Sequence, residues 1–388
     1  LVPKEYDKKP NFIITEYLDT IGLHGSTFGC IKFDGSVAYP LAIGNNALTK
    51  TITWVNYGKL AVGFQALGIM EYCYRQANAF CTQRIAWDRP LNQHELILET
   101  LTDIKAQIQA FRSLCYEAAY MYSYIHVYKH NLHNTHNKQL LSSYNTEIIK
   151  LEKRLKKLIP LIKWWASEKT FLIAQKSLNL LGGRGYLKEY SLGRFLQDSL
   201  ALGIYEGPVY NQALIVMKDT IKEFVRLPSK AIGITIRKSK LNICNNQDLN
   251  NKFNKCRTIF YKTLLKLMIQ LIKENVQIKI LSIDPSDISK ALRIITKEIV
   301  DFKTISLAIF QSIRLCEMKT LMAIAYCNVS DTQLDTSRIP ITEYFLDNVL
   351  LKFEVLSKEI LHPKKYLNEI FKDVKSEQTD SLSYLQGF

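Results

Sequence analysis

No apolar run in the sequence reaches the roughly 20 residues a helix needs to cross a bilayer, so a helical membrane span is excluded. The eight cysteines (Cys30, Cys73, Cys81, Cys115, Cys244, Cys256, Cys316, Cys327) form no C-x-x-C pair, which excludes the paired-cysteine metal and redox motifs. Spread out and mostly on apolar helix faces, they read as reduced thiols of a cytosol-like compartment (the mitochondrial matrix if the source is eukaryotic). No signal peptide is visible, and the first residue is Leu1, not Met. Acidic residues are scarce: 36 Asp and Glu stand against 51 Lys and Arg, a formal charge of +15. Such a balance suits phosphate-bearing partners. The lysines are scattered through an Ile- and Asn-rich background, however, and read first as solvated surface, so no nucleic-acid partner is expected. His126, His130, His133 and His136 have the spacing of ligands on one helix face, but no Asp, Glu or Cys joins them. They read as a polar inter-helix connection, and no metal site is expected.

What the sequence does have is long helical periodicity. Residues 1–45 are strand-like, with β-prone runs at 11–15 and 28–33 punctuated by Gly22, Gly25, Gly29, Gly35 and Pro40. From residue 46 the pattern changes. Leu60, Phe64, Leu67, Met70, Tyr74 and Ala77 recur at threes and fours, as do Ile97, Leu101, Ile104, Ile108, Phe111, Cys115, Ala118 and Tyr122. A third helix is expected over about 145–180, broken or restarted at Pro160, and a fourth over about 210–226. Residues 228–257 are polar, basic and Asn-rich and read as a linker. Further helices are expected at about 259–279, 286–327 and 341–361, and the tail beyond about residue 376 is expected to be loose.

The densest chemistry lies in residues 178–212, LNLLGGRGYLKEYSLGRFLQDSLALGIYEGPVYNQ. Gly182, Gly183 and Gly185 interrupt the third helix, where glycine permits a tight turn or a close backbone approach. Glu206 then stands in a short turn among Leu200, Leu202, Ile204 and Val209. A carboxylate in apolar surroundings is a candidate general base.

In its order of paired glycine, GY-x-KEY, R-x-x-x-D and IYEG, this stretch resembles the C-terminal signature of the acyl-CoA dehydrogenases. NYGKLAVGFQALGIMEYCYRQANAFCTQR at 56–84 is similar to the family's first C-terminal-domain helix, and IGLHGSTFGCIKFDG at 21–35 to the end of its middle β domain. The implied fold is mainly α: a remnant of a β domain (1–45), an antiparallel four-helix bundle (46–227), a linker (228–257) and an appended second helical domain (258–388). The resemblance is strong over about 20–225 and weak over about 258–370. The family's N-terminal helical domain and first β strands have no counterpart here.

The resemblance also implies a function. Glu206 would be the base that takes the proton from the carbon α to an acyl-CoA thioester, with a hydride leaving Cβ for the N5 atom of FAD. The backbone N–H of Glu206 would donate to the thioester oxygen. Lys59, Tyr205 and Gly207 would lie on the substrate side. Arg84, Trp87, Asn179, Gly182, Gly183 and Pro208 would lie on the cofactor side, with Arg84 and the paired glycines serving the flavin of a neighbouring subunit. A homodimer or tetramer, and an electron-transfer flavoprotein as electron acceptor, follow from the same resemblance.

Several positions depart from the family pattern. Lys59 replaces a usual Arg, Asn179 a Gln, Gln197 an Arg, Pro208 a Thr and Tyr210 a Gln, and each weakens an expected contact. These departures motivate the competing expectation of a non-catalytic relative acting as a helical scaffold or assembly partner.

Overall fold

The apolar spacing of residues 60–77 becomes one face of a long helix, α1 (Ala47–Gln83), in a computed structural model that describes residues 1–40, 47–227, 233–235, 239–275 and 309–362. Helix α2 (Glu95–Asn134) buries Leu101, Ile104, Ile108, Phe111, Cys115 and Ala118, the stripe that periodicity marks out. Helix α3 (Lys138–Leu180) packs along both, and α5 (Val209–Arg226) completes a four-helix bundle against α3. The short α4 (Leu192–Ala201) lies between them.

Pro160 neither breaks nor restarts α3; it lies inside the helix and is buried. Proline removes only one backbone hydrogen bond. Here the neighbouring apolar residues Ile159, Leu161, Ile162, Trp164 and Trp165, all at most 3% exposed, hold both halves to the core. Asn137 starts the helix seven or eight residues earlier than expected by accepting from the N–H groups of Gln139 (3.0 Å) and Leu140 (3.3 Å).

Ahead of the bundle, β1 (Glu5–Tyr6) pairs with β2 (Lys9–Pro10) and β3 (Ile13–Leu18) with β4 (Phe28–Lys32), both antiparallel. The strands β3 and β4 are exposed on both faces. Their connecting turn docks on α4, where Asp198 Oδ1 accepts from the Leu23 N–H at 2.6 Å. A side chain at Gly22 would meet the Gln197 carbonyl carbon at 2.7 Å, so the turn needs glycine to approach that closely. His24 lies in this turn, its ring bonded to the Thr20 carbonyl at 2.8 Å.

Beyond the bundle, α6 (Gln247–Asn275) starts ten residues inside the stretch expected to be linker. Its asparagines are structural: Asn250 Oδ1 accepts from the Ile243 N–H (2.8 Å) and Asn254 Oδ1 from the Leu241 N–H (2.9 Å), so buried amides pin the incoming chain to the first turns. Of the helix expected at 286–327, residues 286–308 lie outside the described residues; α7 spans Ser312–Asp331. Helix α8 (Ile339–Leu361) packs on α6, and α7 packs on α2, α3 and α5. One apolar core therefore joins α1, α2, α3 and α5 to α6, α7 and α8, while Cys73, Ala77, Ala174, Leu181 and Leu192 form a smaller cluster between α1, α3 and α4. Arg338 reinforces the junction, donating to Ser113 on α2 (2.7 Å) while paired to Asp331 (2.8 Å). All eight cysteines are free thiols, and no helix among the described residues is long and apolar enough to cross a membrane.

Candidate active site

The turn between α4 and α5 is built by two residues of positive φ in succession, Glu206 (+56°) and Gly207 (+91°). Glycine tolerates this; glutamate does so at a cost of order 1 kcal/mol or more. Pro208 follows at the N-cap position of α5, where its missing N–H would have no intrahelical partner in any case. The result turns the Glu206 side chain onto α1. Gly58 lies directly beneath it: a Cβ there would come within 2.8 Å of Glu206 Oε1, 2.9 Å of Cδ and 3.2 Å of Oε2.

Two lysines flank the carboxylate. Lys59 is nearly buried on α1, its ammonium 3.4 Å from Asn56 Oδ1. Burial holds it below the usual ammonium range, and the Glu206 carboxylate opposes that shift. Lys163, fully buried on α3, is pushed down to about 8, again by burial first, with Glu206 raising and Lys59 lowering it. Tyr205 donates to Gln65 Oε1 at 2.5 Å, and burial followed by the Glu206 charge raises its phenol. Gln212, buried on α5, donates weakly to the Gly207 carbonyl (3.4 Å), while its own Oε1 has no hydrogen-bond partner among the described residues. Large apolar side chains stand exposed close by in the chain: Ile204 and Tyr210 before and after Glu206, and Trp54 one helical turn before Gly58.

The other expected residues gather elsewhere. Arg84 and Trp87 lie at the far end of α1, in a hairpin of Ile85–Ala86 with Arg89–Pro90. Its two turn residues, Trp87 (φ +48°) and Asp88 (φ +64°), adopt the conformation usually left to Asn-Gly. Trp87 is 84% exposed, touching the His94 ring edge-on at 5.5 Å. His94 is structural, bonded to the Ala86 carbonyl (3.0 Å) and accepting from Arg89 (3.2 Å). Arg84 is exposed and has no acid partner among the described residues. The glycine segment Gly182–Tyr186, a 3₁₀ turn, meets the same end of α1, with the Arg184 guanidinium over the Phe80 ring at 5.9 Å.

Gly182 is explained by its φ of +57°. Gly183 has neither positive φ nor any atom within 4 Å of a notional Cβ, and with Gly182 and Asn179 it faces solvent. Nothing among the described residues requires glycine at 183. The expected residues therefore form two clusters, one at Gly58 and Glu206, the other at Arg84, Trp87 and Gly182–Gly183. At ~1.5 Å per residue, the 26 positions from 58 to 84 separate them by ~39 Å along α1.

Sequence reasoning missed Gly58, Lys163 and Gln212. A signal existed for the first two: a glycine inside a strong helical pattern needs a packing reason, and Lys163 interrupts the apolar run LIKWWA. The histidine series is mostly not an inter-helix connection: helix α2 extends to Asn134, so His126, His130 and His133 are helical.

The class defined by this geometry is a helical bundle presenting one carboxylate from an inter-helix turn. Residues 48–130 and 133–220 match the acyl-CoA dehydrogenase C-terminal domain. Over these residues the chain is similar to the C-terminal domains of acyl-CoA dehydrogenases. It is 28% identical over 163 residues to the cyclohexane-1-carbonyl-CoA dehydrogenase of Geobacter metallireducens, covering 42% of this chain and 36% of that protein. It is 27% identical over 212 residues to an acyl-CoA dehydrogenase of Bacillus subtilis, covering 54% and 49%. The chain thus spans half or less of the length of these curated relatives. A solved acyl-CoA dehydrogenase from Bacillus anthracis, complexed with FAD, shares the fold with a TM-score of 0.68 over 97% of this chain and 61% of that one, at 14% identity.

Proposed function

We propose that the protein is an FAD-dependent acyl-CoA dehydrogenase in which Glu206 takes the α-proton of the thioester. The observation that carries this reading is the Glu206 carboxylate held at positive φ against Gly58. A strained backbone that aims a single acid, beside two buried lysines, is what a positioned base requires. A helical scaffold or assembly partner would not need such a turn, which favours the enzyme reading over it.

The chain's residues divide the work. Glu206 accepts the proton at Cα and holds it, while its backbone N–H donates to the thioester oxygen as negative charge grows there. Gly207, without a side chain, leaves room for the acyl chain, and Tyr205 and Lys59 border the same space. The exposed Trp54, Ile204 and Tyr210 offer an apolar rim for an alkyl chain or a flat ring. Bound FAD would supply the hydride acceptor for the Cβ hydrogen.

The residues present fit that cofactor. Among the described residues, Gly183 has no internal reason to be glycine, Gln212 Oε1 is a buried acceptor left open, and Arg84 is a guanidinium without an acid partner, suited to a phosphate. Asn179, Gly182, Trp87 and Pro208 would border it. An extended cofactor serving both clusters of one chain would have to bridge ~39 Å of α1. We therefore assign Arg84 and Gly182–Gly183 to the flavin of a second copy, which makes a homodimer or larger assembly part of the proposal. An electron-transfer flavoprotein is the proposed electron acceptor.

The experiment is a flavin titration followed by substrate. Purified protein should carry a flavin absorption band that butyryl-CoA or a longer acyl-CoA bleaches, and Glu206→Gln should lose the bleaching while keeping the band. Wild-type bleaching by Glu206→Gln would remove Glu206 from the chemistry.

A further inference from the structure

Lys163 is used by none of the steps above, yet it is the most deeply buried charge beside the turn. It lies on α3 between Ile162 and Trp164 with no exposed surface. An ammonium in such a place is costly unless hydrogen-bonded and electrically compensated. Lys163 Nζ donates to the Leu202 carbonyl and to Ser167 Oγ at 3.2 Å. Ser167 Oγ itself lies 2.6 Å from the same carbonyl. Leu202 caps the end of α4, where backbone carbonyls lack helical partners and a cation is favoured. Three residues further on, the Tyr205 ring centroid lies 5.4 Å from the ammonium. The charged and titratable groups that face Lys163 are Glu206 and Tyr205 from the turn and Lys59 from α1. No carboxylate hydrogen-bonds it among the described residues; the one that compensates it through space is Glu206.

We infer that Lys163 is a positioning residue for Glu206. With Ser167 it grips the Leu202 carbonyl from below, fixes the turn from 202 to 207, and so keeps the carboxylate seated on Gly58. The inference rests on the reading of Glu206 as the base. It differs from a purely structural role in what it touches. Loss of the grip should misplace the carboxylate while leaving α1 with Trp54, the glycine segment and Tyr210 on α5 in place.

Two measurements test it on the purified protein. In stopped-flow bleaching with saturating butyryl-CoA, Lys163→Met should slow flavin reduction by 10- to 100-fold with the butyryl-CoA dissociation constant changed less than twofold. Ser167→Ala, which removes only the second donor and is tolerated by any fold that tolerates a small core polar change, should show the same split at roughly three- to tenfold. Added to Glu206→Gln, Lys163→Met should slow the residual reaction no further. Independently of flavin, Lys163→Met or Ser167→Ala should speed amide hydrogen exchange across 203–207 at least tenfold while α1 is unchanged. Wild-type rates in both variants, an equal loss in the Glu206→Gln background, or unchanged exchange in the turn would each overturn the inference. If Glu206→Gln alone kept the wild-type rate, the base assignment would fall, and this positioning role with it. If Glu206→Gln were inactive and both other variants normal, only the positioning role would fall.

Discussion

Gly58 and Glu206 touch across the α1 face, and the contact leaves no space for a methyl group: the notional Cβ lies 2.8 Å from Oε1 and 2.9 Å from Cδ. Alanine is the better helix residue by up to about 1 kcal/mol. Gly58→Ala should therefore leave the melting temperature unchanged or slightly raised, while displacing the carboxylate and cutting the bleaching rate tenfold or more. Separation of stability from rate in this direction is hard to obtain from a structural glycine. A variant with full activity would show that the carboxylate does not need its seat.

The three glycines of the 3₁₀ segment should behave differently from one another. A Cβ at Gly185 would overlap the Leu178 carbonyl and press on the Leu178 side chain at 3.2 Å, so Gly185→Ala should cost about 1–3 kcal/mol in denaturant titration. Gly183→Ala meets nothing among the described residues. Its stability without flavin should match the wild type, and its flavin affinity should fall about tenfold if the cofactor of a neighbour lies on that surface. Equal flavin affinity, measured by fluorescence titration, would remove Gly183 from the cofactor site.

The ~39 Å between the two clusters along α1 makes a prediction about mixtures. Arg84→Ala should lose flavin contacts for its neighbour, and Glu206→Gln should lose its own base, so each homo-oligomer should be impaired. Co-expressed and purified as a mixed assembly, the pair should regain bleaching at a fraction of the sites, up to about half. If both residues served one cofactor within one chain, mixing would restore nothing.

Much of this was legible in the sequence because the bundle helices are amphipathic. The stripe from Leu60 to Ala77 could be read by counting, whereas Glu206 stood out only through the order of glycine, KEY and YEG elements that resembles a family signature. What stayed hidden were residues that work against their own composition class. Asn250 and Asn254 looked like linker polarity and are buried hydrogen-bonding hubs. Lys163 looked like one more charge among 51 basic residues and is the only fully buried lysine among the described residues. Gly58 was overshadowed by the adjoining Lys59. The meaning of each depends on a partner between 4 and 148 residues away, which no local pattern contains.

The same lysine gives the protein a pH signature. In the unfolded chain Lys163 should titrate near 10.5; in the folded protein burial brings it down to about 8. Between those values the unfolded state binds more protons, so this group makes stability rise with pH from about 8 to about 10.5. Below 8 the cost of burying the ammonium is felt in full. The ceiling on the gain is about 3 kcal/mol. Buried thiols act in the opposite sense above 9, since burial pushes Cys73 and Cys256 up to about 12 and their stabilisation is lost as the unfolded thiols ionise. The contribution of Lys163 is therefore read as a difference. Urea midpoints of the wild type minus those of Lys163→Met, taken at pH 7.5, 8.5, 9.5 and 10.5, should climb with pH. In Glu206→Gln the rise should begin at lower pH, because the carboxylate that raises Lys163 is gone. Parallel curves for wild type and Lys163→Met would mean that the ammonium is solvated, and that neither the burial nor its coupling to Glu206 holds in solution.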